Sequence, residues 1–263
     1  MLIFIFFLAS AIAGIITGLL GGGIGFVIIP LLVLVFKIEH VSNSLIMHCA
    51  IGTTSMSIAI MGTVGSISHY KKNSVVWSKV IKVLYGLLIG VIIGALVANQ
   101  ISSSYLILAF GIIVLILAVY VWFGCNDKSV NKKVPTTNKK FHIGGALIGL
   151  VGGIFGINPI SVPFFKNIGM DMRSAIGTSL VVGTIMAFCI ALMYTITGFG
   201  VIGLPRLSTG YIDWFLVIPI SIAGSLFAPL GAKLAHSIPH SVLKVLYGIL
   251  LVVVGINMIV SVI

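Results

Sequence analysis

The sequence predicts an all-α polytopic membrane protein with two inverted-topology repeats of five hydrophobic elements each, including short broken half-helices after Gly-rich turns. Three observations support this prediction. The chain is 59% hydrophobic and only 7% charged, too little charge to cover a water-soluble domain. Apolar runs at 105–123 and 242–263 reach the ~20 residues that span a bilayer. Motifs of the first half return in the same order in the second half.

Ten hydrophobic elements follow one another along the chain. They cover about 2–20, 24–36, 44–69, 79–98, 102–123, 141–155, 157–168, 172–199, 211–236 and 240–262. Elements two and seven are too short to cross a bilayer, because about eleven helical residues cover only ~16 Å of a ~30 Å hydrocarbon core. Element six is also expected to be short.

The two halves of the chain correspond to each other in sequence. The matching segments are GIITGLLG at 14–21 with GALIGLVG at 145–152, AIGTT at 50–54 with AIGTS at 175–179, and IGALVA at 93–98 with LGAKLA at 230–235. Because five is an odd number of elements, the second copy is expected to lie upside down in the membrane. The predicted organisation is a first repeat at 1–124, a linker at 125–140 and a second repeat at 141–263.

The basic residues divide unequally between the two predicted faces. Of the 15 Lys and Arg residues, all but Lys37 and Arg206 fall on one face, which the positive-inside rule makes cytoplasmic. Both termini are then expected on the periplasmic or extracellular side of the plasma (inner) membrane, with the linker 125–140 in the cytoplasm. The membrane accounts for the net charge of +11, so no nucleic-acid partner is expected. A homo-oligomer is compatible with the sequence.

Gly-rich turns precede both half-length elements and form the first candidate site. LLGGGIGF at 19–26 and GGIFGINP at 152–159 occupy equivalent places in the two repeats. A half-helix that starts at membrane depth presents free N–H groups and a partial positive charge, which suit an anion. Helix packing through small residues is the alternative. The candidate substrate-binding residues here are Gly23, Gly25, Gly156 and Asn158.

The repeated AIGTT and AIGTS phrases form the second candidate site. Each begins the third element of its repeat and brings hydroxyl groups close to a glycine. Neutral hydroxyls can hold an oxyanion without a permanent charge that would trap it, although buried Ser and Thr usually bond to their own helix. The candidate substrate-binding residues here are Thr53, Thr54, Ser55, Thr178 and Ser179, together with His48, which lies just before the first phrase.

Titratable residues are scarce in the predicted spans. The four acids, Glu39, Asp127, Asp171 and Asp213, are expected at helix ends or in loops, which leaves no carboxylate to bind a cation or relay protons within a span. The histidines do not cluster at metal-ligand spacing, and no nucleophile elbow or phosphate-binding loop is present. The sequence therefore predicts no metal, no cofactor, no catalytic residue and no enzymatic activity.

Several segments resemble the TauE/SafE sulfite exporter family. They are IIPLL at 28–32, SVPFF at 161–165, the two AIGT phrases, SISHYKKNSVVW at 66–77 and PLGAKLAHSIP at 229–239. The resemblance covers almost the whole chain. It implies a small bacterial inner-membrane transporter for sulfite, sulfonates, related sulfur oxyanions or carboxylates. Gly23-Ile24-Gly25 and Gly156-Ile157-Asn158 depart from the three glycines that family members often have there.

The predicted function is therefore export of sulfite, an organosulfonate or a related sulfur oxyanion by alternating access. An inside-negative potential drives a monovalent anion outward by ~2.3 kcal/mol per 100 mV, so outward flow needs no coupling carboxylate. The expected partners are a small anionic substrate and the lipid bilayer. The alternatives are a channel-like anion facilitator, a thiosulfate or sulfur-relay membrane protein that uses Cys49, and a scaffold that transports nothing.

Overall fold

The computed structural model describes residues 7–8, 10–15, 24–120, 122, 138–234 and 240–261. Residues 10–15 are helical, and nine helices with defined bounds and one β-hairpin follow within these described ranges. They are α1 (Ile24–Ile38), α2 (Ile46–Lys71), α3 (Trp77–Gln100), α4 (Ser103–Val119), α5 (Asn138–Phe155), α6 (Ser161–Asn167), α7 (Met172–Thr197), β1 (Ser208–Thr209), β2 (Ile212–Asp213), α8 (Trp214–Leu234) and α9 (His240–Val260). The predominantly helical architecture that the sequence predicts is confirmed.

Three of these helices, α2, α3 and α7, are long and apolar enough to cross a membrane. The 24 residues of α3 extend ~36 Å, which exceeds the ~30 Å hydrocarbon core. Shorter apolar stretches occur in α1, α4, α8 and α9. Large apolar side chains, such as those of Ile81 and Ile116, are exposed on the outside of the bundle, as a lipid-facing surface requires. The chain is a multi-pass membrane protein.

The short elements differ in detail from the predicted ones. Helix α6 has only 7 residues, or ~10 Å, so the prediction of a half-length seventh element is correct. Helix α1 has 15 residues and contains Pro30. Helix α5, in contrast, has 18 residues and begins at Asn138, so element six is longer than expected and takes in the last three residues of the predicted linker. The remainder of that linker, 125–137, lies outside the described residues.

The β-hairpin between α7 and α8 is not expected from the sequence. Ser208 pairs with Asp213 and Thr209 with Ile212 in antiparallel register, and Gly210 in the turn has a φ of 58°. A left-handed φ of this kind favours glycine. The Trp214 indole N–H donates to Thr209 Oγ1 at 3.1 Å. The hairpin thus fixes the path by which the chain enters α8.

Helices α3 and α5 pack closely along two rows of glycine. A Cβ atom at Gly90 would lie 2.2 Å from the carbonyl oxygen of Ala146, and one at Gly149 would lie 2.2 Å from that of Leu87. No side chain fits at these distances, which explains the small residues at this interface. The rows consist of Gly86, Gly90 and Gly94 on α3 and Gly145, Gly149 and Gly153 on α5. Contacts advance in the same direction on both helices, so α3 and α5 run parallel.

Other helix pairs run in opposite directions. In α2 and α7, Gly62 lies against Thr184 and Gly65 lies against Leu180, so the two helices are antiparallel. Helices α4 and α9 also pack against each other, with Gly111 of α4 against Gly255 of α9. These partners are the third elements and the fifth elements of the two predicted repeats. The third elements of the two halves therefore pack against each other, as do the fifth elements.

Two lysines of α3 lie at the end of the bundle where α5 begins. The ammonium groups of Lys79 and Lys82 lie 4.9 and 5.5 Å from the centre of the Phe141 ring, so α3 and α5 begin at the same end. Lys37 Nζ, in the last turn of α1, donates to the backbone carbonyl of Ser261, just after the end of α9. Gly111 lies against Ile259 and Gly255 against Leu115, so α9 ends near the start of α4, and Lys37 lies at the end opposite to the start of α3.

Candidate functional site

The glycines of the two repeated phrases allow another part of the chain to approach closely. Gly52 lies in the second turn of α2, where a Cβ atom would come within 2.7 Å of the Tyr211 carbonyl oxygen. Gly177 lies in the second turn of α7, where a Cβ atom would come within 2.6 Å of the Ser74 carbonyl oxygen. Tyr211 precedes α8 and Ser74 precedes α3. Each phrase therefore receives the segment that enters the fourth element of the other predicted repeat.

The threonine after each glycine holds the same segment by a hydrogen bond. The backbone N–H of Asp213 donates to Thr53 Oγ1 at 3.0 Å. The backbone N–H of Val76 donates to Thr178 Oγ1 at 3.0 Å. Both threonines were predicted to bind substrate. In the structure their oxygens accept from the backbone, so they position the chain at the starts of α8 and α3.

Three other predicted residues of these phrases have free hydroxyl groups. Thr54 Oγ1, Ser55 Oγ and Ser179 Oγ are buried and have no hydrogen-bond partner in the part of the chain that the structure describes. Thr54 and Ser179 occupy equivalent positions in the two phrases. Leaving a buried hydroxyl unpaired costs ~1–3 kcal/mol, and such groups in native proteins usually have a functional reason or a bound water. These hydroxyls are available to a ligand.

The two Gly-rich breaks meet beside the Ser55 hydroxyl. A Cβ atom at Gly25 would lie 3.2 Å from the Gly156 carbonyl oxygen and 2.8 Å from Ile157 Cγ2. Gly156 has a φ of +69°, and a Cβ atom there would lie 3.5 Å from Ser55 Oγ. The left-handed φ and the close contacts both favour glycine. Gly23, the remaining predicted glycine, lies outside the described residues.

Asn158 connects the second break to the second phrase. Its Nδ2 lies 3.4 Å from the Ser179 carbonyl oxygen, and its Oδ1 accepts from the Ser161 hydroxyl. A Cβ atom at Gly183 would come within 2.7 Å of Nδ2, so a glycine on α7 makes room for the amide. An amide has two N–H donors, and the long bond to Ser179 uses one. The side chain can therefore donate to a ligand.

These contacts define a candidate site of neutral donors between the two breaks and the two phrases. Gly25 adjoins Gly156, Gly156 adjoins Ser55, and Asn158 adjoins Ser179. Hydroxyl and amide groups can donate to the oxygens of an anion. Their neutrality allows release, because no fixed positive charge holds the ligand in a low-dielectric environment.

His48 is not directed at a ligand in this structure. Its Nδ1 lies 3.2 Å from Ser103 Oγ and its Nε2 lies 3.1 Å from the Ala98 carbonyl oxygen. The centre of its ring lies 5.2 Å from that of Tyr211. The two nitrogens therefore connect α2 to the last turn of α3 and to the first residue of α4. The predicted substrate contact of His48 is not seen in this arrangement, in which both ring nitrogens already have partners.

The structure gives no support to chemistry at Cys49. The side chain is 1% exposed, and an activated thiol needs a nearby base. The neighbouring His48 has both nitrogens in hydrogen bonds. Among the residues that the structure describes, no group of three or more His, Cys, Asp or Glu side chains could hold a metal ion.

Sequence reasoning missed the burial of Asp213. The residue lies just before α8, as expected, but only 3% of its surface is exposed. Its Oδ1 accepts from the Phe215 N–H at 2.9 Å. Burial raises the pKa of the Asp213 carboxyl, and hydrogen bonds from the Phe215 and Leu216 backbone lower it in part. Asp213-Trp214 shares only the tryptophan with Val76-Trp77, so the sequence gives no signal of this burial.

Comparison with known proteins extends these observations. The sequence model of the family described as "Sulfite exporter TauE/SafE" matches residues 6–258. A probable membrane transporter protein of Haemophilus influenzae is 31% identical over 253 residues, which are 95% of this chain and 96% of the relative. The probable membrane transporter protein YdhB of Bacillus subtilis is 29% identical over 248 residues, or 90% and 92% of the two chains. No solved structure matches.

Proposed function

The chain belongs to the TauE/SafE sulfite exporter family, and on this premise we propose that it exports a small sulfur oxyanion, such as sulfite or an organosulfonate, by alternating access. Its relatives are named probable membrane transporter proteins, and its apolar helices make it a multi-pass membrane protein. The proposal places it in the plasma membrane, without enzymatic activity and without a cofactor.

The main support for an anionic substrate is the set of unpartnered hydroxyls. Thr54, Ser55 and Ser179 each have a buried hydroxyl without a partner in the described part of the chain, and Asn158 adds an amide. Sulfite and sulfonates have three oxygens that accept hydrogen bonds, so one ion can satisfy several of these donors together. Binding then removes the cost of the unpaired groups, which favours the occupied state.

The packing of the helices supports the two-repeat part of the proposal. We infer that 1–124 and 141–263 form inverted repeats, since α2 and α7 pack antiparallel and the same Gly-Thr contact occurs on both. Thr53 makes its contact near the start of α2. Thr178 holds Val76, which follows the end of α2. Two equivalent contacts at opposite ends suit a carrier that opens at one side at a time.

A double variant tests the site directly. We expect Thr54→Val with Ser179→Ala to reduce saturable sulfite flux in proteoliposomes by about tenfold or more, because each lost donor costs ~1 kcal/mol or more of binding. The melting temperature should not fall, because neither hydroxyl has a partner to lose.

The matched control is Thr63→Val on the same helix. Its hydroxyl donates to the Ala59 carbonyl oxygen of its own helix at 2.7 Å, so flux should stay near that of the wild type. Normal flux in the double variant would contradict the proposed site. Flux that never saturates in the wild type would instead favour a channel-like facilitator.

A further inference from the structure

Two of the chain's four acidic residues lie near each other at one end of the molecule. Burial, and secondly the negative charge of Asp213, raises the pKa of the Glu39 carboxyl, so the two carboxyls lie within electrostatic range. Asp213 is almost fully buried. Among the described residues it forms no ion pair with a lysine or arginine. Burying an unpaired carboxylate disfavours its ionised form, so its environment favours proton uptake.

The groups around Asp213 do not supply a compensating positive charge. The titratable and charged residues at this end are Glu39 after α1, His48 and Cys49 in α2, Tyr194 in α7, Tyr211 in the hairpin turn, and the bases Lys37 and Arg206. His48 has both ring nitrogens in other hydrogen bonds. Lys37 donates to the Ser261 carbonyl oxygen. The proton is therefore the cation that can neutralise this carboxyl.

A backbone hydrogen bond connects the Asp213 segment to α2, the helix that contains two of the unpartnered hydroxyls. Its backbone N–H donates to Thr53 Oγ1 at 3.0 Å, and the next two residues, Thr54 and Ser55, have the unpartnered hydroxyls. An ionised carboxylate at this position repels an anion at those hydroxyls, because charges interact strongly where little water screens them. Neutralising the carboxylate removes that repulsion.

We propose that Asp213 is a proton-binding site that couples proton movement to anion transport. The inference rests on the proposed anion transport. The carboxylate accepts one proton as the anion binds and releases it as the anion leaves, so proton and anion cross together. A monovalent anion then moves without net charge. Net export then requires the outward anion gradient to exceed the inward proton gradient. This changes the sequence-based expectation that no carboxylate takes part.

The structure also gives Asp213 a capping role, and the test separates the two roles. Asp213 Oδ1 accepts from the second residue of α8, and Asn caps helices about as well as Asp. The variant Asp213→Asn therefore keeps the cap and loses the titrating group. Asp213→Ser, which also caps helices well, is a second such variant. Glu39→Gln is the control for a nearby carboxyl that makes no contact with Thr53.

The experiment uses the full-length protein in liposomes that contain a pH-sensitive dye, with sulfite and with isethionate, whose sulfonate stays ionised throughout. For the wild type we expect proton entry with the anion and anion accumulation driven by a pH gradient. For Asp213→Asn we expect about a tenfold loss of that accumulation, with exchange of labelled anion at equal pH retained. Glu39→Gln should keep the coupling, with its midpoint moved to lower pH.

The outcomes distinguish a failure of the proposed anion transport from a failure of the proposed proton coupling. Absence of anion exchange in the wild type would overturn the proposed function, and this inference with it. Exchange without proton movement would overturn the inference alone. Proton-driven accumulation that persists in both Asp213→Asn and Asp213→Ser would also overturn it, because neither variant can bind the proton at that position.

Discussion

Thr53 and Thr54 are neighbours in α2, and their hydroxyl groups have different surroundings. Thr53 Oγ1 accepts from the backbone N–H of Asp213, 160 residues away in sequence, whereas Thr54 Oγ1 has no partner among the described residues. The sequence presents both as equivalent candidates for binding an anion. Only the fold distinguishes an oxygen that accepts from a distant backbone N–H from a hydroxyl that has no partner among the described residues.

Thr53→Val tests the structural role of the first hydroxyl. The variant keeps the shape of the side chain and leaves a buried N–H of Asp213 without an acceptor, which costs ~1–3 kcal/mol. We expect a lower melting temperature in detergent, and recovery in Thr53→Ser, which restores the oxygen. Thr54→Val is the adjacent control and should not lose stability. Equal melting temperatures for Thr53→Val and the wild type would contradict this role.

The different surroundings of Thr53 and Thr54 could not be predicted from the sequence. Duplication of the AIGT phrases points to a shared role, and Thr53 and Thr178 accept equivalent backbone hydrogen bonds. Which oxygen accepts a backbone N–H depends on contacts between distant segments, such as Thr178 with Val76. Such contacts have no local signal. The burial of Asp213 is of the same kind, since its position at a helix start is readable and its surroundings are not.

At the scale of elements, glycine determines how closely the helices approach. Gly86, Gly90 and Gly94 recur every four residues on α3 and face a similar row on α5. This spacing places small residues on one face of a helix. Because lipid is as apolar as the helices, close packing of the backbones has to stabilise the pair. The Gly-rich character of α5 is therefore structural along most of its length.

Gly149→Leu tests this packing. A side chain at position 149 would overlap the Leu87 carbonyl oxygen, 2.2 Å from the Cβ position, so α3 and α5 must separate. Overpacking of this kind typically costs ~1–3 kcal/mol or more, and we expect reduced yield of folded protein and a lower melting temperature. Ile93→Ala, on a face of α3 where Ile93 is 49% exposed, should have little effect. Equal loss in both variants would contradict the packing account.

Some element boundaries could be predicted from the sequence and others could not. Pro159, Pro163 and the preceding glycines mark the short α6, because Gly and Pro interrupt helices. The start of α5 at Asn138 was missed because Lys139 and Lys140 resemble loop residues. The hairpin at 208–213 was missed because strands of two residues are too short to show an alternating pattern.

At the scale of the whole molecule, the third elements of the two halves pack against each other, and so do the fifth elements. Helix α2 pairs with α7 and α4 with α9, and each AIGT phrase receives the segment that enters the fourth element of the other half. Under the proposed function, the two Gly-Thr contacts open in turn around the hydroxyls of Thr54, Ser55 and Ser179. The central claim is thus that one anion site is reached from either side, never from both together.

Counterflow of labelled sulfite into proteoliposomes tests this claim most directly. In an alternating-access carrier, unlabelled sulfite inside returns the site to the outside and speeds entry of the label. We predict saturable entry of labelled sulfite that is faster with sulfite inside than with buffer inside. The double variant Thr54→Val with Ser179→Ala should slow this entry. Entry that is linear in concentration and indifferent to internal sulfite would contradict the account, as would no entry at all.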